Sequence, residues 1–162
     1  MSELTHLDNN GEARMVDVGE KTASERRAVA EGRIRLNQTA FDALNRGELK
    51  KGDALATARI AGIMAGKRTS ELVPLCHPIA LTHLELHLTL EPANQAVRCT
   101  AEAATTERTG VEMEALTGVQ IALLTVYDMC KSLDRAMRIE DVALVAKSGG
   151  QSGDYQRDTQ HE

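Results

Sequence analysis

Residues 84–103 read LELHLTLEPANQAVRCTAEA, and this stretch decides the fold. Leu84, Leu86, Leu88 and Leu90 alternate with polar residues, as do Val97, Cys99, Ala101 and Ala103 on the far side of a turn containing Pro92 and Asn94. A period of two on both sides of a Pro and Asn turn predicts a β-hairpin with one face toward a core. Upstream, Ala28, Ala30, Gly32, Ile34 and Leu36 alternate with Arg27, Glu31, Arg33 and Arg35, which predicts a first half-buried strand. Between strand and hairpin lie a short helix over Thr39–Arg46, stopped by Gly47, and an Ala-rich helix over Ala54–Lys67 capped by Asp53. One more helical turn is expected over Thr69–Val73. Downstream, Met113, Leu116, Val119, Leu123, Val126, Tyr127 and Cys130 recur at spacings of three and four, predicting a long helix over Glu112–Leu133. Val142–Ala146 reads as a last, buried strand. The order is βαββαβ with an extra helix in the first crossover. That is an α+β, ferredoxin-like pattern, with helices packed on one face of an antiparallel sheet. The other face of the first strand carries Arg and Glu, and is either wet or set against another subunit.

The 162 residues carry a formal charge of −5 and only three aromatics, Phe41, Tyr127 and Tyr155. Without stacking platforms or net positive charge, a nucleic-acid reader is disfavoured. No apolar run is long enough to span a bilayer and the N-terminus is polar, so a cytoplasmic protein without a membrane partner is expected. One domain over 15–155 is expected, flanked by a mobile segment over 1–14 and a mobile tail over 156–162, within a Gly- and Ser-bearing end that begins at Ser148. Cys76, Cys99 and Cys130 have neither the number nor the spacing of a disulfide frame or zinc site, and read as reduced, mostly buried thiols.

Several segments have chemistry in reach, each beside a plainer reading. Pro74-Leu75-Cys76-His77-Pro78 is stiffened at both ends, and is either a rigid ligand-facing loop or a turn into the hairpin. Asp128 and Lys131 share a helix face as either an ordinary ion pair or an acid/base pair, burial being the deciding factor. Thr109-Gly110-Val111-Glu112 has the pattern of a capping box, which accounts for Glu112 but not for Glu114. Glu114 either complements the helix dipole or clamps the amidine-like edge of a guanine or pterin. Lys147 with Ser148, Gly149, Gly150 and Ser152 forms either an anion-binding nest or a flexible tail, and Lys50 and Lys51 precede a helix N-terminus suited to phosphate. Two decoys fall away. Gly62–Arg68 (GIMAGKR) has the wrong glycine spacing for a P-loop and reads as a tightly packed helix end. His83, Glu85 and His87 stand about 6.5 Å apart along a strand, wide for a shared ion, so no metal site is expected.

Four segments together, THLDNNGEARMVDV (5–18), KGDALATARIAGIMAGKRTSELVPLCHPI (51–79), TGVEMEALTGVQIALLTVYDMCKSLD (109–134) and AKSGGQSGDY (146–155), resemble the cyclic pyranopterin monophosphate synthase family of molybdenum cofactor biosynthesis. The resemblance implies a lyase that rearranges a cyclised GTP derivative, 3′,8-cyclo-7,8-dihydro-GTP, to cyclic pyranopterin monophosphate with loss of pyrophosphate. It also implies a homohexamer of three dimers with active sites at the dimer interface, and no cofactor, leaving room for Mg2+ beside the triphosphate. Carried over by position, it puts Asp128 in the catalytic place with Lys131 beside it and Lys51 as another active-site lysine. Leu75, Cys76 and His77 fall to substrate binding, Met113 and Glu114 to the base-recognising end, and Glu112, Arg26 and Lys147 to the same pocket. Gln151 departs from the family, which often has a cation there. On this reading Asp128 and Lys131 move protons while Lys51, Lys147 and Arg26 hold the triphosphate, and all of these groups enclose one nucleotide-sized hollow. A metabolite sensor that binds without reacting, or a scaffold for cofactor-synthesis enzymes, would not need the paired acid and ammonium.

Overall fold

A computed structural model describes residues 6–158. Met1–Thr5 and Thr159–Glu162, assigned above to the mobile ends, lie outside the described residues. The elements run β1 (Arg26–Arg35), α1 (Gln38–Asn45), α2 (Ala54–Gly66), α3 (Thr69–Leu72), β2 (Leu81–Glu91), β3 (Ala96–Thr105), α4 (Glu112–Cys130), β4 (Arg138–Ser148) and β5 (Tyr155–Gln156). The sheet order is β2-β3-β1-β4-β5 and every pairing is antiparallel, so the first four strands have the ferredoxin-like arrangement.

The hairpin forms as its alternation requires, with Leu86 opposite Ala101 and Leu88 opposite Cys99. A single 3₁₀ turn over Pro92–Asn94 closes it, with Gln95 left-handed at φ 49°. The inward residues of β1 and β3, among them Ala28, Ala30, Ile34, Cys99, Ala101 and Ala103, are fully buried. They meet the apolar stripe of α4, where Val119, Leu123 and Val126 are likewise buried. On the opposite face the charges of β1 are used across strands: Arg33 to Glu91 at 2.9 Å, and Arg27 to Glu102, Glu31 to Arg98 and Arg35 to Glu140.

A core this poor in aromatics is filled by bringing backbones together. At the α2–α4 crossing a Cβ on Gly62 would lie 2.7 Å from the Gly118 carbonyl and 2.3 Å from Leu86 Cδ2. GIMAGKR is thus a close helix contact, as its spacing suggested. Asp53 caps α2, accepting from the Ala56 N–H at 3.0 Å.

Three expectations are corrected. α4 ends at Cys130 rather than Leu133, because buried Asp134 turns the chain: its carboxylate accepts from the Asn37 N–H at 2.7 Å and the Ala136 N–H at 2.8 Å. β4 is half-buried rather than buried, since along most of its length only β1 flanks it. The segment after Ser148 is also not simply a tail, for Tyr155 and Gln156 fold back onto Lys147 and Ala146 as β5.

Candidate active site

The first turn of α4 closes through its backbone, with the Ala115 N–H on the Val111 carbonyl at 3.2 Å, but not through a side-chain cap. Its N-cap position is Val111, without a side-chain cap hydrogen bond, so the capping box expected from Thr109 and Glu112 does not form. Glu112 instead lies over Gly110, where a Cβ would stand 2.0 Å from Oε2, and pairs with Lys147 Nζ at 3.2 Å. A charge-assisted contact to the end of β4 has replaced a local cap. Lys147 Nζ also donates to Ser152 Oγ at 2.9 Å, joining β4, its glycine loop and the start of α4.

Glu114, two residues further in the same turn, is 3% exposed, and its Oε2 has no hydrogen-bond partner among the described residues. Burial pushes its carboxyl up to about 7, and the nearby charge of Glu112 adds to that rise while the residue's own backbone N–H opposes it. A buried orphan oxygen is costly, and Glu114 lines a cavity of 290 Å³ rather than solid core. Leu75, Cys76, His77 and Met113 share that lining, so the proline-bracketed loop does face a hollow. Cys76 is half-buried rather than buried, and its thiol is pushed up by burial and by Glu114. His77 Nε2 donates to the Val16 carbonyl at 2.7 Å.

Beside this cavity lies a polar recess of 210 Å³ lined by five cations, Lys21, Arg26, Arg27, Arg108 and Lys147. Glu112 lines both spaces, as do Lys21, Thr109 and Gly110. Arg26 is 9% exposed and its Nε donates to the Glu107 carbonyl at 3.0 Å. Gly149 and Gly150, at φ +86° and +81°, wrap it: a Cβ at Gly149 would be 2.2 Å from the Glu25 carbonyl, and one at Gly150 2.0 Å from the Arg26 guanidinium. Of the five cations, Lys21, Arg27 and Arg108 were not among the candidates from sequence. Arg108 did carry a signal, as a cation two residues before the Gly110 that leads into a helix N-terminus. Lys21 sits in a segment without periodicity and carried none.

The remaining predicted residues gather at the other end of α4. Asp128 receives two ammonium groups, Lys51 Nζ at 2.7 Å on Oδ2 and Lys131 Nζ at 2.8 Å on Oδ1, and Lys51 also donates to the Asp128 carbonyl at 3.0 Å. Hydrogen bonds from Lys131 and then Lys51 hold its carboxyl down to about 2. The trio is about half exposed rather than buried. At roughly 1.5 Å per residue, the fourteen positions from Glu114 to Asp128 span about 21 Å of helix. The single hollow expected from sequence is therefore not formed within one chain. Leu75, Cys76, His77, Glu112, Met113 and Glu114 adjoin Arg26 and Lys147 at one end of α4, and Lys51, Asp128 and Lys131 stand at the other. Among the described residues no three His, Cys, Asp or Glu side chains are grouped to hold a metal ion.

A buried acid beside a basic recess, on a ferredoxin-like frame, fits an anionic ligand with a hydrogen-bonding ring, and the MoaC family profile matches residues 15–150. The chain belongs to the MoaC family. A protein of Roseiflexus sp. (strain RS-1) named cyclic pyranopterin monophosphate synthase is 54% identical over 158 residues, covering 98% of this chain and 100% of its own length. Proteins of the same name from Heliobacterium modesticaldum (strain ATCC 51547 / Ice1) and Clostridium botulinum (strain Alaska E43 / Type E3) are 52% identical, covering 98% and 95% of this chain and 99% and 97% of their own lengths. The MoaC match spans both ends of α4, so the two clusters fall within one family unit.

Proposed function

We propose that this MoaC-family chain is a lyase that forms cyclic pyranopterin monophosphate from 3′,8-cyclo-7,8-dihydro-GTP, releasing pyrophosphate. The observation that carries the reading is Glu114, a buried carboxylate with an unpartnered Oε2, in the lining of a cavity that lies beside a recess of five cations. A guanine-derived ring presents an amidine-like edge, two N–H donors in a plane, which matches both oxygens of one carboxylate. Binding that edge satisfies the orphan atom and favours ionised Glu114. Leu75, Cys76 and Met113 supply the apolar walls around the ring, and Arg26 and Lys147, with Lys21, take the triphosphate.

In the reaction a ribose-derived hydroxyl attacks the α-phosphorus, and the bond to the pyrophosphate oxygen breaks. Negative charge grows on the leaving group, and fixed cations already in place lower that barrier without reorganisation. Ring opening and re-closure need protons delivered and removed. Lys131 and Lys51, held on either oxygen of Asp128, form a relay: an ammonium gives up its proton while the carboxylate fixes its position and stabilises its charge. Such a relay has to reach the ring, and about 21 Å of helix separates it from Glu114 within a chain. The active site is accordingly composite, the Glu114 end of one subunit facing the Asp128 end of another in a dimer, three dimers making a hexamer. Mg2+ beside the triphosphate is compatible with this arrangement but no step depends on it.

Pyrophosphate release from the purified protein mixed with the cyclised GTP derivative tests the proposal. Wild-type protein releases it, while Lys131→Ala and Asp128→Ala abolish turnover with the fold intact. Near-normal rates in either variant would remove that residue from the mechanism.

A further inference from the structure

The 290 Å³ cavity owes one wall to a segment that belongs to no helix or strand. Between Val16 and Lys21 the residues Val16, Val18 and Lys21 are half-buried, and Asp17, Gly19 and Glu20 are exposed. Val16 and Val18 line the cavity, and Lys21 lines both the cavity and the basic recess. Its own backbone bonds are few: Lys21 N–H to the Val18 carbonyl at 3.1 Å, and Gly19 N–H to Asp17 Oδ1 at 2.8 Å. Two side chains from distant parts of the fold tie it down. His77 Nε2 donates to the Val16 carbonyl at 2.7 Å, and Arg108 Nη1 donates to the Gly19 carbonyl at 2.7 Å. Ser24 N–H to the Glu107 carbonyl, at 3.4 Å, fixes the far end.

We infer that residues 16–21 form a strap over the ligand cavity, and that His77 and Arg108 are positioning residues that latch it and so deliver Lys21 to the basic recess. A segment with so few buried apolar contacts and so few backbone bonds opens locally at small cost. Two charge- or ring-borne hydrogen bonds then account for most of the preference for the closed form. His77 spends its Nε2–H on the strap, so its part in the site is exerted through the wall it holds. Opening the latch exposes the cavity, and closing it excludes water and brings a cation against the ligand's phosphates. The ligand chemistry rests on the function proposed above. The latch itself rests only on the contacts of the free protein.

Hydrogen exchange of the full-length, ligand-free protein, with binding of inorganic triphosphate as a second readout, tests this. In His77→Ala the Gly19 and Lys21 amides should exchange about tenfold faster, the effect of losing one such hydrogen bond, while paired amides of β1 and β3 keep their wild-type rates. Arg108→Met should do the same, and His77→Gln, which retains an N–H donor, should restore most of the protection. Inorganic triphosphate should bind several-fold more weakly to His77→Ala, because Lys21 is no longer held at the recess. Unchanged exchange at Gly19 and Lys21, acceleration shared equally by β1, or unchanged triphosphate affinity overturns the inference. Wild-type protein that bound no triphosphate yet showed the exchange response would refute the proposed ligand and still support the latch.

Discussion

Replacing Glu114 by Gln should make the free protein more stable at alkaline pH while removing its activity. The native carboxyl is raised from its ordinary 4.5 to about 7, chiefly by burial. An acid weakened on folding binds more protons in the native state between those values, so stability falls as pH rises from about 4.5 through 7. At ~1.36 kcal/mol per unit the full penalty, present above pH 7, is about 3 kcal/mol, and about 2.5 kcal/mol of it develops between pH 5 and pH 8. Gln has the same shape and no charge, but it buries an amide that also lacks a partner, at about 1–2 kcal/mol. Glu114→Gln is therefore expected to be neutral to slightly destabilising at pH 5 and stabilising by about 1–2 kcal/mol at pH 8. Denaturant unfolding at fixed protein concentration, run on both proteins from pH 5 to pH 8, measures it. Turnover should fall about a hundredfold, the loss of one charge-assisted pair to the ring edge. Stability curves that stay parallel across this range would show that Glu114 carries no burial penalty, and the argument for its role would go with it.

Three further outcomes are expected. Gly62→Ala forces a Cβ to 2.7 Å from the Gly118 carbonyl and 2.3 Å from Leu86, and should cost about 2 kcal/mol net of the gain in helix propensity, whereas Gly118→Ala, with no neighbour closer than 3.3 Å, should stay within about 1 kcal/mol; equal unfolding midpoints would contradict this. Gly149→Ala, which sets a Cβ 2.2 Å from the Glu25 carbonyl at φ +86°, should lose about 3 kcal/mol and raise KM by displacing the loop around Arg26, as unfolding and steady-state rates would show. Asp128, held down to about 2, stays ionised well below neutral pH, so Asp128→Asn should lower turnover at least a hundredfold at every pH assayed, leave the melting temperature nearly unchanged, and have no effect on the midpoint of any acid limb lying above pH 5.

The frame was legible because its determinants are local. Alternation in Leu84–Leu90 and Val97–Ala103, the three-and-four spacing along α4, and the Asp53 cap each act within a few residues, and each element formed where its pattern put it except at the C-terminal end of α4. What could not be read locally was set by distant partners. Thr109 and Glu112 have the letters of a capping box, but Lys147, from the far end of the chain, outcompetes the cap as an ion-pair partner for Glu112. The end of α4 depends on Asp134 bonding to Asn37, 97 residues away. At the site, residue types were legible and their grouping was not: Lys51, Asp128 and Lys131 do meet, as do Glu112 and Lys147, yet no periodicity tells which end of a helix a given loop will face. Lys21 shows this most plainly, since it enters the basic recess on a strap held by His77 and Arg108.

Mixing two inactive variants tests the composite site most directly. Glu114→Gln damages one end of α4 and Lys131→Ala the other, and each alone should be inactive. If the two ends meet across a dimer, each mixed dimer has one fully native site, and subunit exchange at equal amounts should recover about a quarter of wild-type activity. Exchanged subunits that remain as inactive as either parent would contradict the account, and would place the whole reaction within a single chain.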